Sequence, residues 1–312
     1  MKAIITIIIC SLFALFCCTS CNLTDSYFQI QEKSMQKMGF QKHIFEQEDL
    51  TLSYSIGGEG ETLLLIHGFG GEGDVTFIRQ LPYFAKSYQV IVPDLLWFGE
   101  SNSSKTPSLN AQAEAIIQLL DSLNIDKMHI VGLSYGGFVC FELYRTHKER
   151  IQSVVIIDSP GPSFNLNYLD EFLDKNGVKA ASDLFVPKNA EELQRLMDIV
   201  MYRDIKLPAS ILQNLFDKYW SRFQKEQTIL LEELPENKVT FNEFTDYDQD
   251  DFLVIWGKND EVFPYQSGLD LAKFLNCDII AFNRSGHIVS VDKARKFNHA
   301  LSQFLNRELK NN

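Results

Sequence analysis

The chain has 312 residues, with 29 Lys and Arg against 41 Asp and Glu, a formal net charge of −12 and a pI near 5.0. Hydrophobic residues make up 45% and charged residues 22%, the balance of a globular chain that can bury a large core, not of a disordered, collagenous or coiled-coil one. The acidic balance lacks the basic face that nucleic-acid binding requires, so no nucleic-acid partner is expected.

Lys2 is followed by an apolar run over residues 3–18, interrupted only by Thr6 and Ser11. Sixteen residues are short for a membrane-spanning helix, which needs about 20. A basic residue, a short apolar stretch and small residues are the features of an export signal. Four of the six cysteines, Cys10, Cys17, Cys18 and Cys21, fall in the first 21 residues, so the body carries no disulfide framework. Cys140 and Cys277 are expected as buried free thiols. Residues 22–38 are polar with few apolar anchors and read as a tether.

The body alternates short apolar runs with amphipathic stretches. Residues 40–47 and 50–56 predict an edge hairpin. Residues 63–66, 88–93, 128–133, 154–157, 252–256 and 278–282 are apolar runs bounded by turn residues, as suits a parallel sheet covered on both faces. Helical patterns lie at 109–123, 138–146, 266–274 and 293–305. This alternation predicts an α/β, doubly wound, mostly parallel sheet. Residues 161–245 break it: they are helical in character, with segments at 169–175, 190–202, 208–220 and 223–234, and predict a helical cap inserted between sheet strands. The organisation is therefore 1–21 export signal, 22–38 tether, 39–160 first part of the core, 161–245 cap and 246–312 second part of the core. The acidic cluster Asp246, Asp248, Asp250 and Asp251 lacks the glycine and distal Glu of a calcium loop and reads as a solvated loop.

Gly132-Leu133-Ser134-Tyr135-Gly136 fits G-x-S-x-G. A buried strand runs into it and a helix follows, the context in which this motif presents a nucleophilic serine on a sharp turn. A serine hydroxyl needs a base within hydrogen-bond reach and a third group to orient that base. The chain order expected is serine, acid, histidine. Asp260, in the loop after the run 252–256, is the candidate acid, with Asp158 at the end of an earlier strand as its rival. His287, after the run 278–282, is the candidate base. His43 falls in the edge hairpin, His129 inside a buried strand, His147 and His299 on or near helices, and His67 at a glycine turn where a structural role is expected. Asp94 also ends a strand and is expected to order a loop. Negative charge on the attacked carbonyl oxygen requires backbone donors: the N–H of Tyr135, after the nucleophile, and that of Phe69 in His67-Gly68-Phe69-Gly70-Gly71. That glycine cluster lacks the Lys and Ser/Thr of a P-loop and the spacing of a dinucleotide fingerprint. Neither cofactor nor metal is implied, since the histidines and the body cysteines show no H-E-x-x-H or C-x-x-C spacing.

On the motifs His67 to Gly71, Asp94 to Ser101, Gly132 to Gly137, Trp256 to Asp260 and Gly286-His287, residues 40–308 resemble the α/β-hydrolase superfamily. A narrower resemblance, through Val186-Pro187, Glu191-Glu192-Leu193, Met201-Tyr202, Leu207-Pro208, Ile211-Leu212 and Leu271-Ala272-Lys273, is to membrane-associated monoacylglycerol lipases and related bacterial lipases. It implies ester hydrolysis by Ser134, Asp260 and His287. Two departures stand out: Leu96-Trp97 where the superfamily often has Pro-Gly, and Tyr135 where many relatives have Met. The segment 18–21 resembles the bacterial lipoprotein signal. That resemblance implies lipidation at Cys21, a membrane surface as partner, and an exported, membrane-anchored location in a bacterial envelope; plain secretion and an uncleaved signal anchor are the alternatives.

The expected function is hydrolysis of a small ester with an apolar, possibly lipid-derived, acyl group. Phe164, Tyr168, Phe172, Leu184, Phe185, Met197, Met201, Phe216, Tyr219 and Trp220 of the cap are the pool from which some acyl contacts are expected. The same machinery acting on a carbon–carbon, thioester or amide bond is the alternative. A non-catalytic binding module is the alternative from another class.

Overall fold

The structure, a computed structural model, describes Gln29 and residues 33–309. The export segment and Cys21 lie outside the described residues. Among the described residues no helix is long and apolar enough to cross a membrane.

A nine-stranded sheet forms the centre, in the order β1-β2-β4-β3-β6-β7-β8-β9, with β5 beside β2. The strands are β1 (Gln41–Gln47), β2 (Leu50–Gly57), β3 (Glu61–Ile66), β4 (Tyr88–Pro93), β5 (Asn102–Ser103), β6 (Met128–Leu133), β7 (Ile151–Ile157), β8 (Phe252–Gly257) and β9 (Asp278–Phe282). The hairpin β1–β2 is antiparallel and β2 joins β4 antiparallel. From β4 through β3, β6, β7 and β8 to β9 every pairing is parallel.

The apolar runs divide between two faces with the period of two that a strand imposes. Leu64, Ile66, Ile130, Ile156, Val254 and Trp256 enter one core layer, under α1 (Leu109–Ser122), α2 (Tyr135–His147) and α8 (Tyr265–Leu275). Leu63, Leu65, Val131, Val155, Leu253 and Ile255 enter the other, where Phe297, Leu301 and Phe304 of α9 (Ala294–Leu309) cover them. Local signals set the helix ends: Ser108 caps α1 by accepting the Ala111 N–H at 3.1 Å, as N-cap serines do.

Between β7 and β8 the chain makes α3 (Leu166–Asn176), a turn of helix at Ser182–Phe185, α4 (Ala190–Val200), α5 (Ala209–Tyr219), α6 (Gln224–Glu232) and α7 (Leu234–Glu243). Asn165 and Asn189 cap α3 and α4, and Gly177 closes α3 in the left-handed conformation. The single helix expected at 223–234 is instead α6 followed by α7. Pro235 cannot donate to a preceding carbonyl, so it ends one helix and sits in the first turn of the next.

Other expectations shift in detail. Helix α2 begins at Tyr135, three residues before the stretch 138–146, because Gly136 and Gly137 weaken the helical signal where the helix starts. The helix expected at 293–305 is preceded by a separate turn, Val289–Asp292. In the expected tether, Met35 is 5% exposed and packs with Phe40 in the second core layer. Cys140 is buried, whereas Cys277, which leads into the edge strand β9, is only half-buried. Asp248 accepts the Asp250 N–H, Asp246 pairs with Lys148, and Asp251 accepts the Tyr144 hydroxyl. The acidic cluster is thus a turn tied to its neighbours.

At the end of β6 a Cβ on Gly136 would strike the carbonyl oxygens of Ile66 and His67, and one on Gly132 would strike the Gly136 carbonyl. The first turn of α2 packs so closely against the ends of β3 and β6 that only glycine fits at these two positions. Gly136→Ala is therefore expected to lower unfolding free energy by about 2 kcal/mol, in the range of overpacked cores, as read by denaturant titration.

Candidate active site

The order β4-β3-β6-β7 reverses chain direction between β3 and β6: the chain leaves β3 for β4 on one side and β6 for β7 on the other. Open α/β sheets bind ligands outside the carboxyl ends of their strands at such a point. Ser134 follows β6 there. Its backbone sits at φ 52°, ψ −117°, a strained conformation for a residue with a side chain. The Ser134 N–H donates to the Ile157 carbonyl at 2.8 Å and its own carbonyl accepts the Gly137 N–H at 2.8 Å. These bonds hold the turn shut.

Three side chains from three strand ends join into one chain. The Ser134 hydroxyl donates to His287 Nε2 at 2.8 Å. His287 Nδ1–H donates to Asp260 Oδ2 at 2.8 Å. Asp260 Oδ1 accepts the N–H groups of Val262 and Phe263 at 2.8 and 3.1 Å, which fixes the carboxylate's rotation. Asp260 and His287 are 8% and 4% exposed, so water competes little for these bonds. The three residues expected from the sequence are thus brought together across 153 residues of chain.

Both expected donors lie beside Ser134. Tyr135 is the first residue of α2, where the N–H has no acceptor within the helix. Gly68 lies against the nucleophile turn: a Cβ there would sit 3.2 Å from both the Leu133 carbonyl and Ser134 Cβ. Phe69 comes next and packs edge-on against the Tyr135 ring, 5.7 Å between centroids. Phe69, Ser134 and Tyr135 together line a cavity of about 720 Å³, its mouth included.

Its walls are apolar. Of the cap residues proposed from the sequence, Phe164, Tyr168, Phe172 and Phe185 line it. Met197, Phe216 and Trp220 instead pack with Leu193 and Leu212 in a core of the cap's own. Leu231, Leu234 and Val262 line the cavity without having been singled out. Their only signal is hydrophobicity, which core residues share. No charged side chain among the described residues lines it.

The competing histidines and acids hold other posts. His67 is buried between two loops: the Leu95 N–H donates to its Nε2 at 2.9 Å, so Nδ1 carries the proton and donates to the Gly68 carbonyl at 2.7 Å. This is the structural role expected for it. His129 pairs with Ser153 at 2.7 Å inside the sheet. Asp94 accepts the Gly73 N–H at 2.9 Å and orders the loop after β3. Asp158, the rival acid, bonds backbone N–H groups of Gly257 and Val289 rather than the imidazole. Trp97, in the Leu96-Trp97 departure after Asp94, adopts φ 65°, a conformation that glycine takes more readily. Among the described residues no group of His, Cys, Asp and Glu could hold a metal ion.

The α/β hydrolase fold family matches residues 61–294. Among curated proteins, 2-hydroxymuconate semialdehyde hydrolase of Pseudomonas sp. (strain CF600) is 27% identical over 237 residues, 72% of this chain and 79% of that protein. The 2-hydroxy-6-oxononadienedioate/2-hydroxy-6-oxononatrienedioate hydrolase of Paraburkholderia phymatum is 29% identical over 274 residues, 82% of this chain and 91% of its own. Among solved structures, a bacterial membrane phospholipase A superposes with a TM-score of 0.73 at 22% identity, over 92% of each chain. A meta-cleavage product hydrolase from Pseudomonas fluorescens IP01 gives 0.69 at 23% identity, over 83% of this chain and 95% of its own.

Burial pushes the His67 imidazole from its ordinary 6.5 down to about 4, so the ring is neutral in the fold. The unfolded chain takes up this proton near pH 6.5 and the folded chain only near 4. The contribution to stability is therefore full above pH 6.5 and is lost as pH falls towards 4. Asp94, pushed up to about 7 by burial and the neighbouring Glu72, acts with the opposite sign, so the test is a comparison. Between pH 7 and 4.5 the wild type is expected to lose about 2 kcal/mol more unfolding free energy than His67→Gln. Equal losses would remove His67 as the group responsible.

Proposed function

Since the chain belongs to the α/β hydrolase fold family, we propose that it is a serine hydrolase in which Ser134 attacks a carbonyl carbon whose apolar arm lies in the cavity under the cap. The observation that carries this is the unbroken chain from the Ser134 hydroxyl through His287 to Asp260, with 2.8 Å at each step. His287 takes the hydroxyl proton as Ser134 Oγ bonds to the carbonyl carbon. The N–H groups of Phe69 and Tyr135 receive the resulting oxyanion. Collapse of the adduct breaks the bond to the leaving group, to which His287 returns the proton. Water activated by the same imidazole then releases the acid. Asp260 holds the imidazole in the required tautomer and offsets its charge.

For the bond that breaks, the curated relatives favour the carbon–carbon reading over the ester expected from the sequence: the enzymes at 27–29% identity are hydrolases of 2-hydroxymuconate semialdehyde and of 2-hydroxy-6-oxo dienedioates. A carbon leaving group departs only as an enol or enolate, so such a substrate carries a second carbonyl in conjugation with the bond. The second reading is a neutral ester, favoured by the uncharged cavity wall. Both readings put the same kind of arm in the same place.

The full-length chain in detergent, treated with a fluorophosphonate, is expected to be labelled at Ser134, and Ser134→Ala to lose both label and turnover by at least about 10⁴-fold. A 2-hydroxy-6-oxo dienoate with an apolar 6-substituent should be turned over at least tenfold faster, in kcat/KM, than esters from acetyl to palmitoyl. The reverse ranking would make the ester reading the function, and a folded protein without label would sink the serine hydrolase. The lipid anchor is a separate proposal resting on residues 18–21 alone. The wild type expressed in a bacterium should incorporate labelled fatty acid and Cys21→Ser should not, whereas a wild type without label, or a Cys21→Ser variant that keeps it, would refute lipidation at that residue.

A further inference from the structure

Asp158 ends β7 and takes no part in the Ser134–His287–Asp260 chain, yet it is fully buried among the loops that carry two of those residues. Its backbone holds a left-handed φ of 47°, which asparagine and aspartate tolerate better than most residues. Its N–H donates to the Ile255 carbonyl at 3.1 Å, tying it to β8. Its two oxygens then go separate ways. Oδ1 accepts the Gly257 N–H at 2.7 Å and Oδ2 accepts the Val289 N–H at 3.2 Å. Gly257 ends β8, and its carbonyl accepts the Asp260 N–H at 3.1 Å, closing the turn that presents Asp260. Val289 lies two residues beyond His287 and starts a turn of helix.

We propose that Asp158 is a positioning residue: one carboxyl group clamps the acid loop to the histidine loop and so sets the separation of Asp260 from His287. The inference rests on the reading of Ser134, His287 and Asp260 as the catalytic set. Only a side chain with two acceptor atoms on one carbon can meet both N–H groups from this position. An amide would turn an N–H₂ towards one of them, and an apolar residue would leave both buried and unpaired. Burial and the neighbouring Asp260 push the Asp158 carboxyl well above the usual carboxylate range. In either protonation state it still offers an oxygen to each N–H. The charged groups acting on it are Asp260 and Asp292, and Asp292 accepts the Gly286 N–H at 2.8 Å from the far side of the histidine loop.

The test uses the full-length chain in detergent, with fluorophosphonate labelling of Ser134 and kcat and KM on an activated aryl ester. Asp158→Asn keeps size and backbone preference but loses one acceptor. It is expected to lower kcat and the labelling rate 10- to 100-fold, the scale of an ångström-level misplacement, with KM within threefold. Asp260→Asn is expected to lower kcat much further. The acid limb of the kcat/KM profile should also move to lower pH in Asp158→Asn, because a loosened Asp260 stabilises the His287 imidazolium less. Val289→Pro removes the histidine-side donor, at a first helical position where proline is tolerated, and exchanges the buried valine side chain for a ring of similar size; it should reproduce part of the loss and of the pH shift, with Val289→Ala, which keeps the N–H, as the control for lost packing. Wild-type kcat and pH profile in a folded Asp158→Asn would overturn the proposal. So would a loss in Asp158→Asn exceeding that in Asp260→Asn, which would make Asp158 the acid itself. If Asp158→Asn does not fold, Val289→Pro decides, and unchanged kcat and pH profile there would overturn the clamp. A wild type that takes no label would count against the catalytic reading, not against the clamp.

Discussion

Ser134 holds a backbone conformation that a residue with a side chain avoids, φ 52° and ψ −117°, and the surrounding residues compensate it. Gly132 and Gly136 leave room for the turn against each other and against the end of β3. The Ser134 N–H is taken by β7, and its carbonyl by Gly137. With the serine's own N–H occupied, the next N–H, that of Tyr135, stands at the start of α2, where it has no acceptor within the helix. The strained turn presents Oγ to His287, and the helix start beside it supplies the free donor.

The sheet supplies the remaining groups by adjacency. β3, β6, β7, β8 and β9 are consecutive parallel neighbours, so the loops that follow them emerge at one edge, a few strand spacings apart. The glycine loop with Phe69, the nucleophile, Asp158, Asp260 and His287 come from these five strand ends in spatial order. A side chain reaches only its near neighbours. His287, on the loop after β9, must therefore fold back over the end of β8 to reach Ser134, with the Asp260 loop between them. The backbone bonds of Asp158 and Asp292 lie along that path.

Much of this was legible in the sequence because it is written in local patterns. Runs such as Leu63-Leu64-Leu65-Ile66 and Val154-Val155-Ile156-Ile157 are apolar at every position, and each is a parallel strand buried on both faces. Ser134, Asp260 and His287 were found because a nucleophile motif fixes the first and chain order restricts the others. What was not legible depends on contacts between distant segments. Asp158 and Asp260 both follow buried strands, and nothing in their neighbours tells a backbone clamp from a partner of histidine. In the cap, Phe172 and Phe216 have the same helical setting, yet one lines the cavity and the other packs into a separate core. The sequence reading of an ester also had no access to the leaving group. The attacking machinery is common to esters and to activated carbon–carbon bonds, and the motif describes only the attack.

The inserted helices bear on the chemistry by more than shape. The His287 backbone N–H donates to the Val200 carbonyl at 3.1 Å, an orphan acceptor at the carboxyl end of α4. A Cβ on Gly286 would lie 2.8 Å from the Tyr202 nitrogen and 3.1 Å from the Val200 oxygen. The segment 200–202 thus rests directly on the residue before the base. Asp260 fixes the imidazole from one side, and the cap fixes the backbone that carries it from the other. A cap attached this way belongs to the same mechanical unit as the base: a change in its helices that shifts Val200 reaches the hydrogen bond to Ser134 without touching the cavity wall. On the reading of His287 as the base, this one backbone bond ties the cap to the alignment of the imidazole with Ser134.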